Sequence, residues 1–380
     1  MSGDKSIAGS SGEHNSKQPG QLDLAVVIPT YNERENVPGI VKRLDNVLGH
    51  LRYEIIFVDD NSPDGTSDVV RDQSLYHARV RCVTRVGRRG LSSAAIEGMM
   101  ATTAPVVAVI DGDMQHDEAQ LPAMLEKLNT ENLDVVVGSR YAEGGGFGEW
   151  SDRRRRMSEL ATTMAKGLTG VDLSDPMSGF FMARSDRIRE KVADLTGVGY
   201  KILLDLLSAP GKQLTVGEVP YEFRTRELGE SKLDSKVILE FAELLIARTV
   251  GRWVPTKFIM FSIVGASGVV VHMLILTYLF RGGYSSFFAA QATATVVAMT
   301  TNFLVNNFFT YYDRQLRGWK LIPGWLSFCA ASSVGAVANL GVAVYMFETA
   351  HVIWFGSALA GVIVGSAWNY AVTALLTWKS

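Results

Sequence analysis

From residue 22 onward the chain alternates short runs of consecutive apolar residues with longer stretches of mixed polarity. Residues 24–28, 53–58, 80–84, 105–110 and 134–138 are five or six residues each, mostly aliphatic or aromatic. A strand that is apolar at successive positions is buried on both faces, as in a parallel sheet covered by helices. The intervening segments, such as 36–51 and 90–103, have the length and periodicity of helices. The alternation predicts an α/β layer fold with a mostly parallel sheet over residues 22–234. In such sheets ligands gather at the carboxyl ends of the strands.

Beyond that point the pattern changes. Residues 235–253 set Val237, Ile238, Phe241, Leu244 and Leu245 against Lys236, Glu240, Glu243, Arg248 and Arg252. The pattern predicts an amphipathic helix over 235–256, whose Arg residues and Trp253 suit the headgroup layer of a bilayer. Packing on the α/β domain is the alternative. Four apolar segments follow, 258–280, 285–312, 323–347 and 351–378, each reaching the roughly 20 residues needed to cross the hydrocarbon core. They predict an all-α, four-helix transmembrane domain over 257–380. Phe261, Gly268, His272, Asn302 and Thr310 have counterparts 67 residues later at Phe328, Gly335, Asn339, Asn369 and Thr377. Phe303/Tyr370 and Tyr311/Trp378 keep aromatic character at the same offset. The fixed interval predicts two parallel hairpin repeats. Small residues at Gly265/Ser332 and Gly268/Gly335 suit close helix contact.

Charge sharpens this division. The 380 residues carry 37 Lys+Arg and 39 Asp+Glu, a formal charge of −2. From Phe258 to the end, only Arg281, Asp313, Arg314, Arg317, Lys320, Glu348 and Lys379 are charged. The hydrophobic fraction of 47% and mean hydropathy of +0.12 therefore average over two solvents. A single soluble globule, a disordered chain and a nucleic-acid binder working through a basic field are all excluded. Arg314, Arg317 and Lys320 lie between the second and third spans, Lys257 precedes the first and Lys379 follows the last. The positive-inside rule predicts that the soluble domain, this loop and the C-terminus are cytoplasmic, in a multi-pass protein of the cell membrane. Residues 1–21 are polar, lack the apolar region of a signal peptide, and read as a disordered tail. Cys82 and Cys329 offer neither a disulfide framework nor a zinc site, which suits a reducing compartment.

The candidate chemistry collects where the strands end. Asp111-Gly112-Asp113 closes the fourth strand, and residues two apart on an extended chain point the same way, so both carboxylates can face one hard cation. Mg²⁺ or Mn²⁺ held by few carboxylates completes its shell with water and phosphate oxygens. Gln115 and His116 add potential ligands, although a histidine there is also read as a helix N-terminal or surface residue. Pro29-Thr30-Tyr31-Asn32-Glu33 follows the first strand and Val58-Asp59-Asp60-Asn61-Ser62-Pro63-Asp64-Gly65-Thr66 the second. Acidic side chains thus converge on three strand ends, which is unfavourable without a compensating cation. The pattern points to a metal–nucleotide site.

Taken in order, P-T-Y-N-E, V-D-D-x-S-P-D-G-T, G-L-S-S-A, D-G-D-M-Q-H, G-S-R-Y, D-P-M-S-G-F-F and G-E-S-K-L resemble glycosyltransferase family 2. Within it they are most similar to the polyprenyl-phosphate (dolichyl-phosphate) mannose synthases. The tail resembles the GtrA-like membrane domain fused to some of these enzymes. The resemblance implies a GT-A fold, a GDP-mannose donor and a polyprenyl or dolichyl phosphate acceptor. It implies that Pro29, Tyr31, Glu33, Val58 and Asp60 hold the nucleoside, and that Asp111, Asp113 and Gln115 bind the metal that neutralises the donor pyrophosphate. Asp59 shapes its loop or caps it. The amides that open the helix at Gly90-Leu91-Ser92-Ser93 either approach the donor or form a plain helix start. Ser139, Arg140 and Arg154 match positions at the acceptor phosphate. Arg226 and Lys232 match residues that close over the donor phosphates. Asp113, Arg140 and Arg154 are the residues expected to carry catalysis. The surplus arginines of the Arg153-Arg154-Arg155-Arg156 run suit anionic lipid.

A phosphomonoester acceptor has its second pKa near ~6 and is largely dianionic at cytoplasmic pH, so it needs placement and positive charge more than a base. Asp175, in the D-P-M-S-G-F-F loop, is on this ground expected to orient rather than to abstract a proton. Lys201 is read either as a phosphate contact or as a surface lysine. No residue in these motifs separates guanine from uracil, so UDP-glucose or another nucleotide hexose stands as the alternative donor. A lipid-linked sugar transporter with a regulatory head is the alternative from a different class.

Overall fold

The computed structural model describes residues 21–146, 162–197, 199–224, 235–251 and 254–378. Arg154, Arg226 and Lys232, expected at phosphates, lie outside the described residues, as does the segment 1–20. The chain divides into two compact units, Met1–Ser231 and Lys232–Ser380.

The first unit is built on a seven-stranded sheet: β1 (Leu24–Thr30), β2 (Tyr53–Asp59), β3 (Val80–Thr84), β4 (Val106–Val109), β5 (Val135–Ser139), β6 (Phe181–Arg184) and β7 (Val216–Pro220). The strand order is β3-β2-β1-β4-β6-β5-β7. β1 to β4 run parallel, β5 pairs parallel with β7, and β6 lies antiparallel between β4 and β5. Alternate residues of β1 and β2 feed two cores, Leu24, Val26, Ile28, Ile55 and Phe57 on one face and Ala25, Val27, Ile56 and Val58 on the other. This is why these strands read as unbroken apolar runs. The helices are α1 (Val37–Leu48), α2 (Thr66–Tyr76), α3 (Leu91–Met100), α4 (Leu121–Thr130), α5 (162–169), α6 (Ser185–Lys191) and α7 (Ile202–Ser208).

Two strands escape the hydrophobic pattern. β6 has only four residues and grows out of the D-P-M-S-G-F-F motif, whose turn chemistry masks it. β7 is an edge strand containing Gly217 and Glu218 and is only partly buried.

The second unit holds α8 (Ser235–Thr249), α9 (Thr256–Arg281), α10 (Phe287–Val305, continued by a π-helical turn over Asn306–Thr310), α11 (Leu321–Val344) and α12 (Trp354–Leu376). Among the described residues, Thr256–Arg281, Phe287–Thr310 and Gly318–Val342 are long and apolar enough to cross a membrane, and α12 contributes the shorter apolar stretch Ala360–Leu376. Residues 67 apart meet: Phe261 lies 6.5 Å from Phe328, and Tyr311 stacks on Trp378 at 4.1 Å. The cross pairs Phe261–Tyr370 and Phe328–Phe303 are reciprocal, with centroids at 5.9 and 5.8 Å. Such i-to-j and j-to-i contacts characterise a two-fold arrangement. In each hairpin a glycine admits an asparagine: a Cβ on Gly268 would fall 2.3 Å from the Asn302 amide, and one on Gly335 would fall 1.9 Å from Asn369 Oδ1.

The polarity expected for α8 is corrected at two positions. Glu240 and Glu243, assigned to its solvent side, are buried, and Tyr312 donates to Glu243 Oε2 at 2.9 Å. A tertiary partner outweighs the local period there.

Candidate active site

Three loops leave the carboxyl ends of β1, β2 and β4, and each contains a non-glycine residue with positive φ: Asn32 (58°), Asn61 (54°) and Met114 (60°). Asparagine tolerates this region; a side chain as bulky as methionine does so at a cost, and such outliers concentrate at functional sites. The loops are tied together by side chains. Asn32 N–H donates to Ser62 Oγ at 3.0 Å, and Glu33 N–H to Thr66 Oγ1 at 3.1 Å. Asp64 receives Thr66 N–H at 3.0 Å and its hydroxyl at 2.6 Å, and these bonds outweigh burial to hold its carboxyl below the ordinary range. Gly112 rests against this frame, since a Cβ there would lie 3.1 Å from Thr30 Cγ2 and 3.3 Å from Glu33 Cγ. The first and fourth strand ends therefore share one crevice.

Asp59 is fully buried and accepts from Ser62 N–H at 3.0 Å, Ser67 Oγ at 2.6 Å and Thr30 Oγ1 at 3.3 Å. It is the cap of its loop. Asp60 points elsewhere. Its Oδ1 takes Arg85 at 2.7 Å and its Oδ2 takes Gly90 N–H at 2.7 Å. Burial raises its pKa against the opposing effect of these donors. Arg85 is itself buried, and reaches Gly90 O at 3.0 Å, Ser93 Oγ at 2.7 Å and Glu97 Oε1 at 3.0 Å. Ser92 N–H donates to Gly199 O at 3.1 Å. The start of α3 thus spends the amides of Gly90 and Ser92 within the protein. Arg89 lies 4.6 Å over the Tyr31 ring, beside the expected nucleoside site.

In the Asp111-Gly112-Asp113 loop, His116 Nδ1 accepts the Asp111 N–H at 3.0 Å, and its Nε2 lies 3.5 Å from Asp111 Oδ2. His116 is buried, stacked on Phe180 at 5.3 Å, and burial pulls its pKa down to about 4. It is a neutral ring clasping Asp111, and neither a surface nor a helix N-terminal histidine. Gln115 N–H donates to Asp113 Oδ1 at 3.1 Å, and its side-chain amide to Arg224 O at 3.1 Å. Gly179 lies alongside: a Cβ there would stand 3.1 Å from Asp111 Oδ2. Only glycine keeps that carboxylate uncovered. Among the described residues no three His, Cys, Asp or Glu gather to hold a metal unaided. Asp111 and Asp113, both partly exposed on one loop, are of the type that suits a hard divalent ion completing its shell with water and phosphate oxygens.

Four residues before Gly179, Asp175 is fully buried and receives Arg140 Nε at 2.8 Å and Nη2 at 3.2 Å. Such a two-point bond fixes the guanidinium plane. Burial works against the Arg140 charge, but Asp175 holds its pKa above the usual value. Lys201 donates to Met177 O at 3.3 Å, and burial together with Arg140 pushes its pKa down. It is part of this cluster rather than a surface lysine. Tyr221 packs edge-on to Phe180 at 5.2 Å, and burial raises its phenol.

Two expected contacts are corrected. Val58 is fully buried in the core under α3, with no side-chain surface for a nucleoside. Ser139 is also fully buried; its hydroxyl accepts from Tyr141 N–H at 3.2 Å and Ala142 N–H at 3.1 Å and bonds Ser174. It shapes the turn that presents Arg140 instead of facing an acceptor. Pro29, inside β1, is buried as well. Sequence reading missed Arg85 and Glu218, whose importance lies in partners 5 to 44 positions away.

The mixed sheet covered by helices, with an acidic loop and a clamped arginine at its strand ends, is an α/β unit of the glycosyltransferase type, joined to a unit of apolar helices. Comparison agrees: residues 25–190 match glycosyl transferase family 2, and residues 260–378 match the GtrA/DPMS transmembrane domain. The protein is a glycosyltransferase and a membrane protein. A dolichol-phosphate mannosyltransferase of Pyrococcus furiosus is 33% identical over 362 residues, 94% of this chain and 100% of that one. Another, of Saccharomyces cerevisiae, is 33% identical over 63% of this chain and 92% of its own length. The chain belongs to the dolichol-phosphate mannosyltransferase family. Among solved structures, mannosyl-3-phosphoglycerate synthase of Rubrobacter xylanophilus is similar at 18% identity and a TM-score of 0.45, over 61% of this chain and 74% of that one.

Proposed function

We propose that the protein transfers mannose from GDP-mannose to a polyprenyl phosphate of the dolichyl type, with inversion, at the cytoplasmic face of a membrane that it crosses four times. The carrying observation is the loop over 175–179, which holds Arg140 at its first residue and passes beside the Asp111 carboxylate at its last. Similarity to two dolichol-phosphate mannosyltransferases, over 94% of this chain for one and 63% for the other, supports the sugar and the acceptor. It also favours the enzyme over a transporter with a regulatory head.

In this reading Tyr31 and Glu33 line the nucleoside site, with Pro29 as backbone beneath it, while Asp60, held by Arg85 and Gly90, braces its loop. Asp111, Asp113 and Gln115 hold Mg²⁺ or Mn²⁺, which when bound supplies positive charge to the donor pyrophosphate. Arg140, with Arg154, binds the acceptor phosphate; Arg226 and Lys232 close over the donor. An oxygen of the dianionic acceptor attacks the anomeric carbon as the bond from that carbon to the GDP oxygen breaks, and no proton has to be removed. Both Asp175 oxygens are bonded to Arg140, so it serves as an orienting anion and not as a base. Glu33 is set by Asn36, whose amide donates to Oε2 at 2.7 Å. Arg314, Arg317 and Lys320, between the second and third spans, support the cytoplasmic placement of that loop.

Purified protein in lipid is incubated with polyprenyl phosphate and labelled GDP-mannose, UDP-glucose or UDP-GlcNAc, followed by organic extraction. Label in the lipid phase from GDP-mannose is expected. Label from a UDP donor alone overturns the donor assignment, and none from any donor overturns the reaction.

A further inference from the structure

We infer that Glu218, on β7, is a positioning residue for the acceptor phosphate, acting through Ser174, Asp175 and Arg140. The inference rests on the acceptor reading above. One oxygen of Glu218, Oε1, collects three donors from two consecutive residues: Ser174 N–H at 2.8 Å, Ser174 Oγ at 2.7 Å and Asp175 N–H at 3.1 Å. Charge-assisted bonds of this kind are short and about twice as strong as neutral ones. They pin the backbone at the root of Asp175, whose carboxylate then fixes Arg140 through two bonds.

The sheet explains why Glu218 can do this. β5 and β7 pair in parallel with Val137 opposite Glu218 and Ser139 opposite Pro220, so Arg140 leaves β5 just beyond the Glu218 level. Ser139 and Ser174 bond through their hydroxyls, joining the two sides of the relay. Glu218 is thus anchored in a strand, while its target loop is otherwise irregular. A buried carboxylate such as Asp175 holds its place only when backbone and partner are both fixed. Loss of the Glu218 charge loosens the loop, and the guanidinium plane turns with it. Small misplacements of a binding group are costly for a reaction that depends on in-line geometry.

The test uses the full chain in lipid, with initial rates measured against both substrates. Glu218→Gln is expected to raise the acceptor KM about tenfold while the donor KM and the thermal midpoint change little, a difference of about 1.4 kcal/mol confined to one substrate. Because the effect runs through Arg140, adding Glu218→Gln to Arg140→Ala should change the acceptor KM by less than about twofold. Equal effects in both backgrounds, an unchanged acceptor KM, or parallel shifts of both KM values overturn the relay. If the unsubstituted protein shows no dependence on polyprenyl phosphate, the acceptor reading falls first and the relay with it.

Discussion

In the catalytic unit several of the buried polar groups are ions held in pairs, while along the described membrane spans the buried polar groups are neutral amides and hydroxyls. Arg85 is buried against Asp60, and Asp175 against Arg140. Asn307, by contrast, donates to Leu316 O at 3.1 Å and accepts from Leu316 N–H at 2.8 Å and from Trp378 Nε1 at 3.0 Å. Asn302 and Asn369 close on Gly268 and Gly335. The physical reason is the solvent each unit works in. An ion in hydrocarbon costs several kcal/mol even by the mildest scales, so amides and close packing hold membrane helices together. A site for two anionic substrates needs fixed cations, and a fixed cation away from water needs a carboxylate partner. Polar groups that look equally inward are therefore satisfied differently, by opposite charge in one unit and by amide bonds and close packing in the other.

The sharpest way to break this contrast is to remove charge where substrates meet. Asp113→Ala is expected to lower kcat at least about a thousandfold in the label-transfer assay, because the cation that would neutralise the pyrophosphate is no longer held; retained activity sinks the metal assignment. Arg140→Ala should reduce kcat/KM for the acceptor about a hundredfold, and Arg140→Lys should recover little because an ammonium cannot make the two-point bond. Full recovery by lysine would mean that Arg140 supplies only charge. In the membrane unit the expected effects are on stability. Gly335→Leu should cost about 2–3 kcal/mol in reversible unfolding in detergent, as the new side chain meets Asn369, whereas Gly265→Leu, in open space, should cost almost nothing. Equal costs would remove the glycine–asparagine contact as a source of cohesion. A smaller loss than that of Gly335→Leu belongs to Asp64→Asn, which should destabilise by about 1 kcal/mol through weakened bonds to Thr66. Since folding lowers the Asp64 pKa, its contribution is complete above the ordinary carboxylate value near ~4 and fades as pH falls through the lowered one. Thermal melts of both proteins between neutral and acid pH should therefore converge on acidification.

Much of the fold was legible because β1 to β5 advertise themselves as apolar runs, and the three acidic loops follow strand ends directly. Asp111 and Asp113 stood out as a strand-end acidic pair, although β4 ends at Val109 and Gly112 and Asp113 lie in a turn, not on the extended chain that the two-residue period assumes. The 67-residue offset was visible because polar residues in apolar helices are few and therefore easy to register. What stayed hidden depends on partners far along the chain. Glu218 reads as an ordinary half-buried strand residue until it is seen 2.8 Å from the Ser174 amide, 44 positions away. Ser139 carried a family expectation as a ligand contact, yet its hydroxyl is turned into its own loop. Glu240 and Glu243 follow the local period of an exposed helix face and are buried all the same.

By itself the sequence determined that the protein has two solvents, that an acidic edge sits at the strand ends of its first part, and that its second part is a run of apolar helices. Those are consequences of composition and short-range period, which act residue by residue. The tertiary structure decided which of several acidic and basic residues share a site: Asp59 became a cap, Asp60 the partner of Arg85, and Asp175 the clamp on Arg140. A charge gains or loses its role through neighbours within a few ångströms, because electrostatic and hydrogen-bond energies fall off over that distance. Such neighbours are brought together by strand order, and strand order is a property of the folded chain.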